Sequence, residues 1–102
     1  MTVYVTQEVS TVDYAPASAW GDIVFLSDMK DRISKNKASS NNEYIIDGIR
    51  AKLEKFTEHD YLVCSGSPVL MVIIGNILGD KLKNILIWEN REMKYYNVQI
   101  NK

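Results

Sequence analysis

The fold is decided by one stretch of the chain, which reads Asp60-Tyr-Leu-Val-Cys-Ser-Gly-Ser-Pro-Val-Leu-Met-Val-Ile-Ile-Gly-Asn-Ile-Leu-Gly79 and continues through Asp80-Lys-Leu-Lys83 to Asn84-Ile-Leu-Ile-Trp88. Its first apolar run predicts a buried strand, and a glycine turn, an apolar helix and a second buried strand follow. Two strands joined through a helix form a parallel βαβ unit with a right-handed crossover. We therefore expect this unit to be the centre of a small α/β domain.

The helix of this unit is predicted over residues 69–78, where only Gly75 and Asn76 interrupt the apolar side chains. Ser67 suits the position before the first helical residue, and Pro68 suits that first position. A helix that is apolar on all sides is normally buried. We therefore expect it to lie inside the domain or to be covered in part by another subunit.

Before the central stretch, short apolar runs alternate with polar segments. Val3-Tyr-Val-Thr6 and residues 22–27 are rich in β-branched and aromatic side chains, which favours strands. Residues 13–21 between them predict a short helical turn, with proline near its start and glycine at its end. We interpret Trp20 as a core residue beneath this turn, because large aromatic side chains are normally buried.

A polar segment and an amphipathic helix connect the second strand to the central stretch. The segment over residues 28–42 is rich in Ser and Asn and locally basic, so we predict a flexible loop there. Asn42 is a suitable cap for the helix that follows. That helix carries apolar side chains at helical spacing, which indicates a face packed on the sheet. These side chains are Ile45, Ile46, Ile49, Leu53 and Phe56.

Beyond Trp88 a polar turn leads to residues 95–100, where apolar and polar side chains alternate as in a half-exposed strand. The short link makes this strand an antiparallel hairpin with the preceding one. We predict a single α/β domain over residues 1–102. It has a small open mixed sheet of about five strands with helices on its faces, a Rossmann-like or flavodoxin-like βαβ core plus a C-terminal β-hairpin. We expect the first strand at the centre, the second and third on its two sides, and the hairpin outermost.

Composition and charge argue against several classes of protein. The 102 residues include 12 Lys and Arg against 13 Asp and Glu, which gives a formal net charge of −1. A general nucleic-acid binder needs a strong positive field, so this balance argues against one. The longest apolar run is far shorter than the ~20 residues that span a bilayer, so we expect no membrane association. The single cysteine excludes an internal disulfide and suits the cytoplasm, where we expect the protein to act.

The carboxyl ends of the first and third strands predict a ligand site. In open α/β sheets, ligands bind beyond these ends at the point where the crossover direction reverses. Gln7, Ser65, Gly66 and Ser67 would meet there, and the first amides of the following helix could receive an anion. The turn lacks both glycine patterns of phosphate-binding loops, and Ser-Gly-Ser-Pro is also common as a simple helix cap. A small-molecule or nucleotide site and a plain cap are the two alternatives.

No catalytic constellation is visible in the sequence. His59 is the one histidine, and it precedes the third strand, at the opposite end from the predicted ligand site. Cys64 falls in an apolar strand, which indicates a small buried core residue rather than a reactive thiol. With one histidine and one cysteine, neither a histidine-rich metal site nor a zinc site of ordinary cysteine spacing can form. We therefore expect no catalytic residues, no metal and no cofactor, and we favour a protein that is not an enzyme.

The final hairpin carries aromatic candidates for a protein interface, namely Trp88, Tyr95 and Tyr96. Tyr and Trp are favoured anchors at interfaces, and an exposed edge strand can pair with another chain. Ordinary cross-strand packing of these rings is the alternative.

Two parts of the chain resemble a group of small, uncharacterised proteins of tailed bacteriophages. Asp13-Tyr-Ala-Pro-Ala-Ser-Ala-Trp-Gly-Asp-Ile-Val-Phe-Leu26 is similar to their opening part. Asp60-Tyr-Leu-Val-Cys-Ser-Gly-Ser-Pro68, with Ile85-Leu-Ile-Trp-Glu-Asn-Arg-Glu-Met-Lys-Tyr-Tyr-Asn-Val-Gln-Ile100, is similar to their closing half, although those proteins often carry Asp where Ser67 stands. The resemblance implies no activity and no functional residue. It implies a phage-encoded accessory protein that acts in the host cytoplasm.

Two functions remain as hypotheses. The first is a non-catalytic phage protein that binds a host or phage protein in host takeover or counter-defence, with a homodimer as an open alternative. The apolar helix and the hairpin aromatics motivate it. The second is a protein that binds a small molecule or nucleotide through Ser65-Gly66-Ser67.

Overall fold

Five strands and two α-helices make up the fold in the computed structural model, which describes residues 1–35 and 40–100. The strands are β1 (Thr2–Val5), β2 (Asp22–Phe25), β3 (Tyr61–Val63), β4 (Asn84–Glu89) and β5 (Lys94–Gln99). The helices are α1 (Ser40–Leu53) and α2 (Pro68–Leu78), and short 3₁₀ helices occupy Ala15–Ala19 and Gly79–Lys81. None of the helices in the described ranges has the length and apolar character needed to cross a membrane.

The strands form one open sheet in the order β2-β1-β3-β4-β5. β1 pairs in parallel with β2 and with β3, and β3 pairs in parallel with β4. Only the pairing of β5 with β4 is antiparallel among the described strands. The predicted α/β class, the parallel βαβ unit around α2 and the outermost hairpin are therefore confirmed.

Both α-helices pack against one face of the sheet, which we call the helix face. Tyr4 and Leu62 lie side by side on this face because their positions pair in register. They join the inward side chains of the helices in one buried cluster, whose helical members include Ile45, Ile49, Leu53, Leu70, Ile74 and Leu78. Each fully buried side chain of this size stabilises the fold by about 2 kcal/mol, so this cluster holds the two layers together.

The first 3₁₀ helix, Ala15–Ala19, covers the opposite face of the sheet. Ala17 is fully buried there beside Val5 and Val63. Trp20 is partly buried and packs its ring edge-on against Tyr61 with the centroids 5.3 Å apart, in agreement with its predicted packing. Because the crossover from β1 to β2 runs on this face and the later crossovers run on the helix face, the direction reverses between β1 and β3.

Helix α2 is buried only on the side that faces the sheet, so the domain does not enclose it, and partial cover by another subunit stays a prediction. Leu70 and Ile74 are buried against the sheet, whereas Val69 and Val72 are 53% and 72% exposed. The helix is the outer layer on its side of the sheet in the described chain. Its outward side chains therefore have no protein to pack against.

Helix α1 begins at Ser40, before the predicted cap at Asn42. Asn42 instead lies inside the helix and clamps the backbone of Ser34: its Oδ1 accepts from the Ser34 N–H at 2.6 Å, and its Nδ2 donates to the Ser34 carbonyl at 2.8 Å. The last residues of the loop predicted over residues 28–42 therefore belong to helix α1. Residues 36–39 of that loop lie outside the described residues.

Candidate functional site

Hydrogen bonds within the chain close the predicted ligand site between β1 and β3. Thr6 directly follows β1, and its Oγ1 accepts from the Ser65 N–H at 2.8 Å and donates to the Ser65 carbonyl at 2.6 Å. One residue further on, Gln7 Oε1 accepts from the Ser67 N–H at 2.8 Å. The side chains of Thr6 and Gln7, which follow β1, therefore stabilise the turn that follows β3 through hydrogen bonds.

The amide of Gln7 is held in place between the turn and the segment that follows β2. Its Nε2 donates to the carbonyls of Asp28 and Asp31 at 3.0 and 2.8 Å, and the residue is only 7% exposed. Gly66 has a φ of +82°, and a Cβ at this position would lie 2.3 Å from Gln7 Oε1. Glycine is therefore required by both the backbone conformation and the close approach of Gln7. In this arrangement Gln7 is a structural cross-link between three segments.

The hydroxyl groups of both serines in the turn also have hydrogen-bond partners within the chain. Ser67 caps α2 as predicted, because its Oγ accepts from the Leu70 N–H at 3.5 Å. The Ser65 Oγ lies 2.6 Å from the hydroxyl of Tyr14, which also accepts from the Val9 N–H at 2.9 Å. Sequence reasoning did not single out Tyr14, because the partner that ties it to this turn lies 51 positions away along the chain.

Beside this closed turn, a cavity of about 790 Å³ opens on the face opposite the α-helices. It lies between the ends of β3 and β4, the start of β5 and the segment that leads into the first 3₁₀ helix. Its lining includes Val12, Asp13, Val63, Cys64, Trp88 and Tyr95. The volume is in the range of small-molecule pockets, roughly 300–1,000 Å³. We call this space the edge cavity.

Cys64 lines the edge cavity and is exposed, so the prediction of a buried core cysteine is wrong. The reason is its position: β3 ends at Val63, and the following residue already lies at the carboxyl edge of the sheet. The surrounding protein nevertheless raises the pKa of the Cys64 thiol, because partial burial penalises the thiolate. The thiol is therefore accessible and poorly ionised.

The three aromatic residues predicted for an interface do not form one surface. Trp88 pairs in register with Tyr95 on the face that bears the edge cavity, and their ring centroids are 5.0 Å apart at 62°. Tyr95 is only 5% exposed and belongs to the core of that face. The cross-strand packing alternative therefore describes this pair. Tyr96 points to the other side of the sheet.

Tyr96 belongs to an exposed apolar surface on the helix-face side of the outer hairpin. Its position pairs with Ile87, and Val98 pairs with Ile85, which packs on the helix-face core. Side chains alternate along a strand, so the side chain of Ile100 lies on the same side of the sheet as those of Tyr96 and Val98. We call Ile87, Tyr96, Val98 and Ile100 the hairpin face.

Polar groups border the hairpin face at the turn between β4 and β5. The Tyr96 hydroxyl donates to the Glu92 carboxylate, and Lys94 Nζ lies 3.3 Å from Glu92 Oε2. The hydrogen bond from Tyr96 and that from Lys94 lower the pKa of Glu92. The carboxylate therefore stays ionised beside the apolar patch.

His59 lies at the opposite edge of the sheet, exposed, with its Nε2 3.7 Å from Glu58 Oε1. This pairing joins two exposed side chains that are adjacent in the sequence, so it is a surface contact. Within residues 1–35 and 40–100, no three His, Cys, Asp or Glu side chains come together in a way that could hold a metal ion.

The fold and these surfaces define a class of protein: a small α/β domain whose open sheet carries an apolar cavity at its carboxyl edge and an exposed outer hairpin. The chain belongs to the phage Pam3 gp32-like protein family, whose model matches residues 1–102. This membership confirms the resemblance to uncharacterised phage proteins. Neither a curated protein nor a solved structure matches the chain.

Proposed function

We propose that this phage protein acts without catalysis, by binding a protein of the host or of the phage through its outer hairpin. The observation that carries the proposal is the hairpin face, whose four side chains are each between 40% and 51% exposed. Contiguous exposed apolar side chains on a folded domain mark interaction sites. Binding of this kind suits a role in host takeover or counter-defence.

The outer edge of β5 supports the same proposal. β5 is the last strand of the described sheet and pairs only with β4, so one row of its backbone N–H and C=O groups faces outward. Edge strands are usually protected by proline, short length or inward-pointing charge. β5 has six residues and none of them is proline. A partner strand can therefore add to this edge while its side chains contact the hairpin face.

The composition of the surface also resembles that of known interfaces. Tyr96 provides an amphipathic anchor of the type enriched in hot spots, and Lys94 Nζ lies 5.0 Å from the centre of its ring. The charges of Lys94 and Glu92 form a polar rim at one end of the patch. An apolar centre with a polar rim is the usual anatomy of a protein interface.

Further apolar side chains are exposed on α2, which lies on the same side of the sheet as the hairpin face. Val69 and Val72 are exposed, and α2 packs on the helix face, from which the hairpin face continues. A partner seated on the hairpin would cover side chains that the domain itself leaves in water.

Affinity capture with the purified protein as bait tests the proposal. The bait is incubated with lysate from infected host cells, and retained proteins are identified by mass spectrometry and then titrated in purified form. Val98→Lys places a charge in the centre of the hairpin face, so we expect it to weaken binding by about tenfold or more. Tyr44→Ala is the matched control, because Tyr44 lies on α1 and is 78% exposed.

Light scattering over a range of concentrations distinguishes the partners. A dimer that Val98→Lys dissociates would identify a second copy of the chain as the partner. A bound protein that Val98→Lys releases and Tyr44→Ala retains would support a host or phage partner. A monomer whose retained proteins are the same in all variants would refute binding through the hairpin.

A further inference from the structure

The edge cavity holds a polar group that the fold leaves without a protein partner. Tyr95 is 5% exposed and lines the cavity, and its hydroxyl makes no hydrogen bond to another described residue. The hydroxyl of Tyr14, on the same wall, has several partners. The Tyr95 hydroxyl is not enclosed by the protein, so it is open to the cavity and available to a molecule inside it.

The charged side chains that line the edge cavity indicate which kind of molecule can bind there. Asp13 is the only charged side chain among the described residues that line the cavity, and no Lys, Arg or His lines it. Its Oδ1 accepts from the Ala15 N–H at 2.9 Å, while its Oδ2 has no hydrogen-bond partner in residues 1–35 and 40–100. A phosphate or carboxylate would meet one negative charge and no positive charge here, whereas a cation would be attracted.

Burial raises the pKa of Tyr95, and the neighbouring Tyr14 and Asp13 raise it further. Asp13 and Tyr95 both line the edge cavity, so a donor group bound there faces a carboxylate and a phenol.

The aromatic wall adds a second preference for positive charge. Trp88 and Tyr95 stand edge to face at the cavity, and Trp88 remains 36% exposed. Aromatic rings attract ammonium groups through their electron-rich faces, and Trp does so most strongly. The remaining lining is largely apolar, with Val12, Val63 and Leu86 among its members.

We propose that the edge cavity is a binding site for a small organic cation, an amine that carries an apolar or aromatic body. The ammonium group lies between the Asp13 carboxylate, the Tyr95 hydroxyl and the ring of Trp88. The body of the ligand packs against the aliphatic side chains of β3 and β4. The edge cavity shares Ile87 with the hairpin face, but its charged and aromatic groups are not part of that face, so the proposal does not depend on the proposed protein binding.

Three probes of the same shape and different charge test the proposal: 2-phenylethylamine, 2-phenylethanol and phenylacetate. Binding to the full chain is measured by NMR titration and by protection of the single thiol, Cys64, from iodoacetamide. We expect the amine to bind about tenfold more tightly than the alcohol, and phenylacetate to bind least. The amine should also slow alkylation of Cys64.

Asp13→Asn is the decisive variant, because Asn keeps an oxygen that can accept from the Ala15 N–H. We expect it to reduce the affinity for 2-phenylethylamine about tenfold and to leave that for 2-phenylethanol unchanged. Asp22→Asn is the matched control, because it removes the same charge from an exposed Asp at the start of β2, at the opposite edge of the sheet. Equal binding of the three probes, equal effects of the two variants, or amine binding that leaves the alkylation of Cys64 unchanged would overturn the proposal.

Discussion

The closed turn at Ser65-Gly66-Ser67 and the edge cavity lie side by side at the carboxyl edge of the same sheet. They differ in whether their polar side chains have hydrogen-bond partners within the protein. At the turn, the amide of Gln7 makes hydrogen bonds to Ser67, Asp28 and Asp31. In the cavity, the hydroxyl of Tyr95 has no partner in the described chain. The position that topology favours for a ligand is occupied by Gln7, and the open space lies at the ends of the neighbouring strands β3 and β4.

Removal of the Gln7 amide should produce the largest effect. Gln7→Ala leaves the Ser67 N–H and two carbonyls without their partner and opens a void beneath Gly66. We expect the free energy of unfolding to fall by about 3 kcal/mol, measured by chemical denaturation. Gln99→Ala at the exposed end of β5 is the control and should change it by less than about 0.5 kcal/mol. Equal losses in the two variants would mean that Gln7 is not a structural cross-link.

A side chain at Gly66 should have the next largest effect. Gly66→Ala forces a Cβ against the Gln7 side chain at a φ of +82°, so we expect a loss of about 2 kcal/mol in the same measurement. Gly48→Ala is the matched control, because Gly48 lies inside α1 and nothing lies within 4 Å of the added Cβ. This control should stabilise the protein by about 1 kcal/mol. The opposite signs of the two changes are the diagnostic result.

The same substitution made in the two regions sharpens the comparison. Tyr14→Phe removes a hydroxyl that accepts from the Val9 N–H and contacts Ser65 Oγ, so we expect a loss of about 1.5 kcal/mol. Tyr95→Phe removes a hydroxyl without a partner in the described chain, so we expect a change below about 0.5 kcal/mol. Thermal and chemical unfolding of both variants provide the measurement. If Tyr95→Phe destabilised the protein as much as Tyr14→Phe, the Tyr95 hydroxyl would not be free.

The smallest effect concerns the pH dependence of Cys64. Because burial raises the pKa of the folded thiol, less thiolate is present at any given pH below that pKa than in the unfolded chain. We expect iodoacetamide to react severalfold more slowly with the native protein at mildly alkaline pH, and the difference to close as the pH rises through the folded pKa. Rates are measured with and without denaturant by mass spectrometry, and Cys64→Ser gives the blank. Equal native and denatured rates would show that the cavity wall does not affect the thiol.

The sheet could be predicted from local patterns because each strand and helix has its own periodicity. The structure confirms the expected order, with β2 and β3 on either side of β1 and the hairpin outermost. The outer side of α2 could not be predicted in this way, because a helix without a polar stripe does not reveal which residues face water. Val72 and Ile74 look alike in the sequence, yet one is exposed and the other is buried.

The sequence predicted that Gln7 and Ser65-Gly66-Ser67 meet at the carboxyl edge of the sheet, and the structure places them together there. Topology located the ends of β1 and β3, whereas the identity of the side chain that fills the gap depends on contacts between distant residues. The bond from Ser67 to Gln7 joins positions 60 apart, and no local pattern reports such a contact. The roles of Tyr95 and Tyr96 were likewise ambiguous, since alternation shows that they face opposite sides without showing which side is covered.

The order of the strands has a consequence for synthesis of the chain on the ribosome. β1 is an interior strand of the sheet, yet Thr2 is anchored by its N–H to the carboxylate of Asp60, 58 positions later, at 2.9 Å. Synthesis proceeds at about 5–20 residues per second, so roughly 3–12 s pass before the ribosome has made the residues of β3 that pair with β1 in the folded protein. During that interval only β2 is available to pair with it, so a nascent chain that stalls before β3 presents a bare apolar strand to chaperones and proteases.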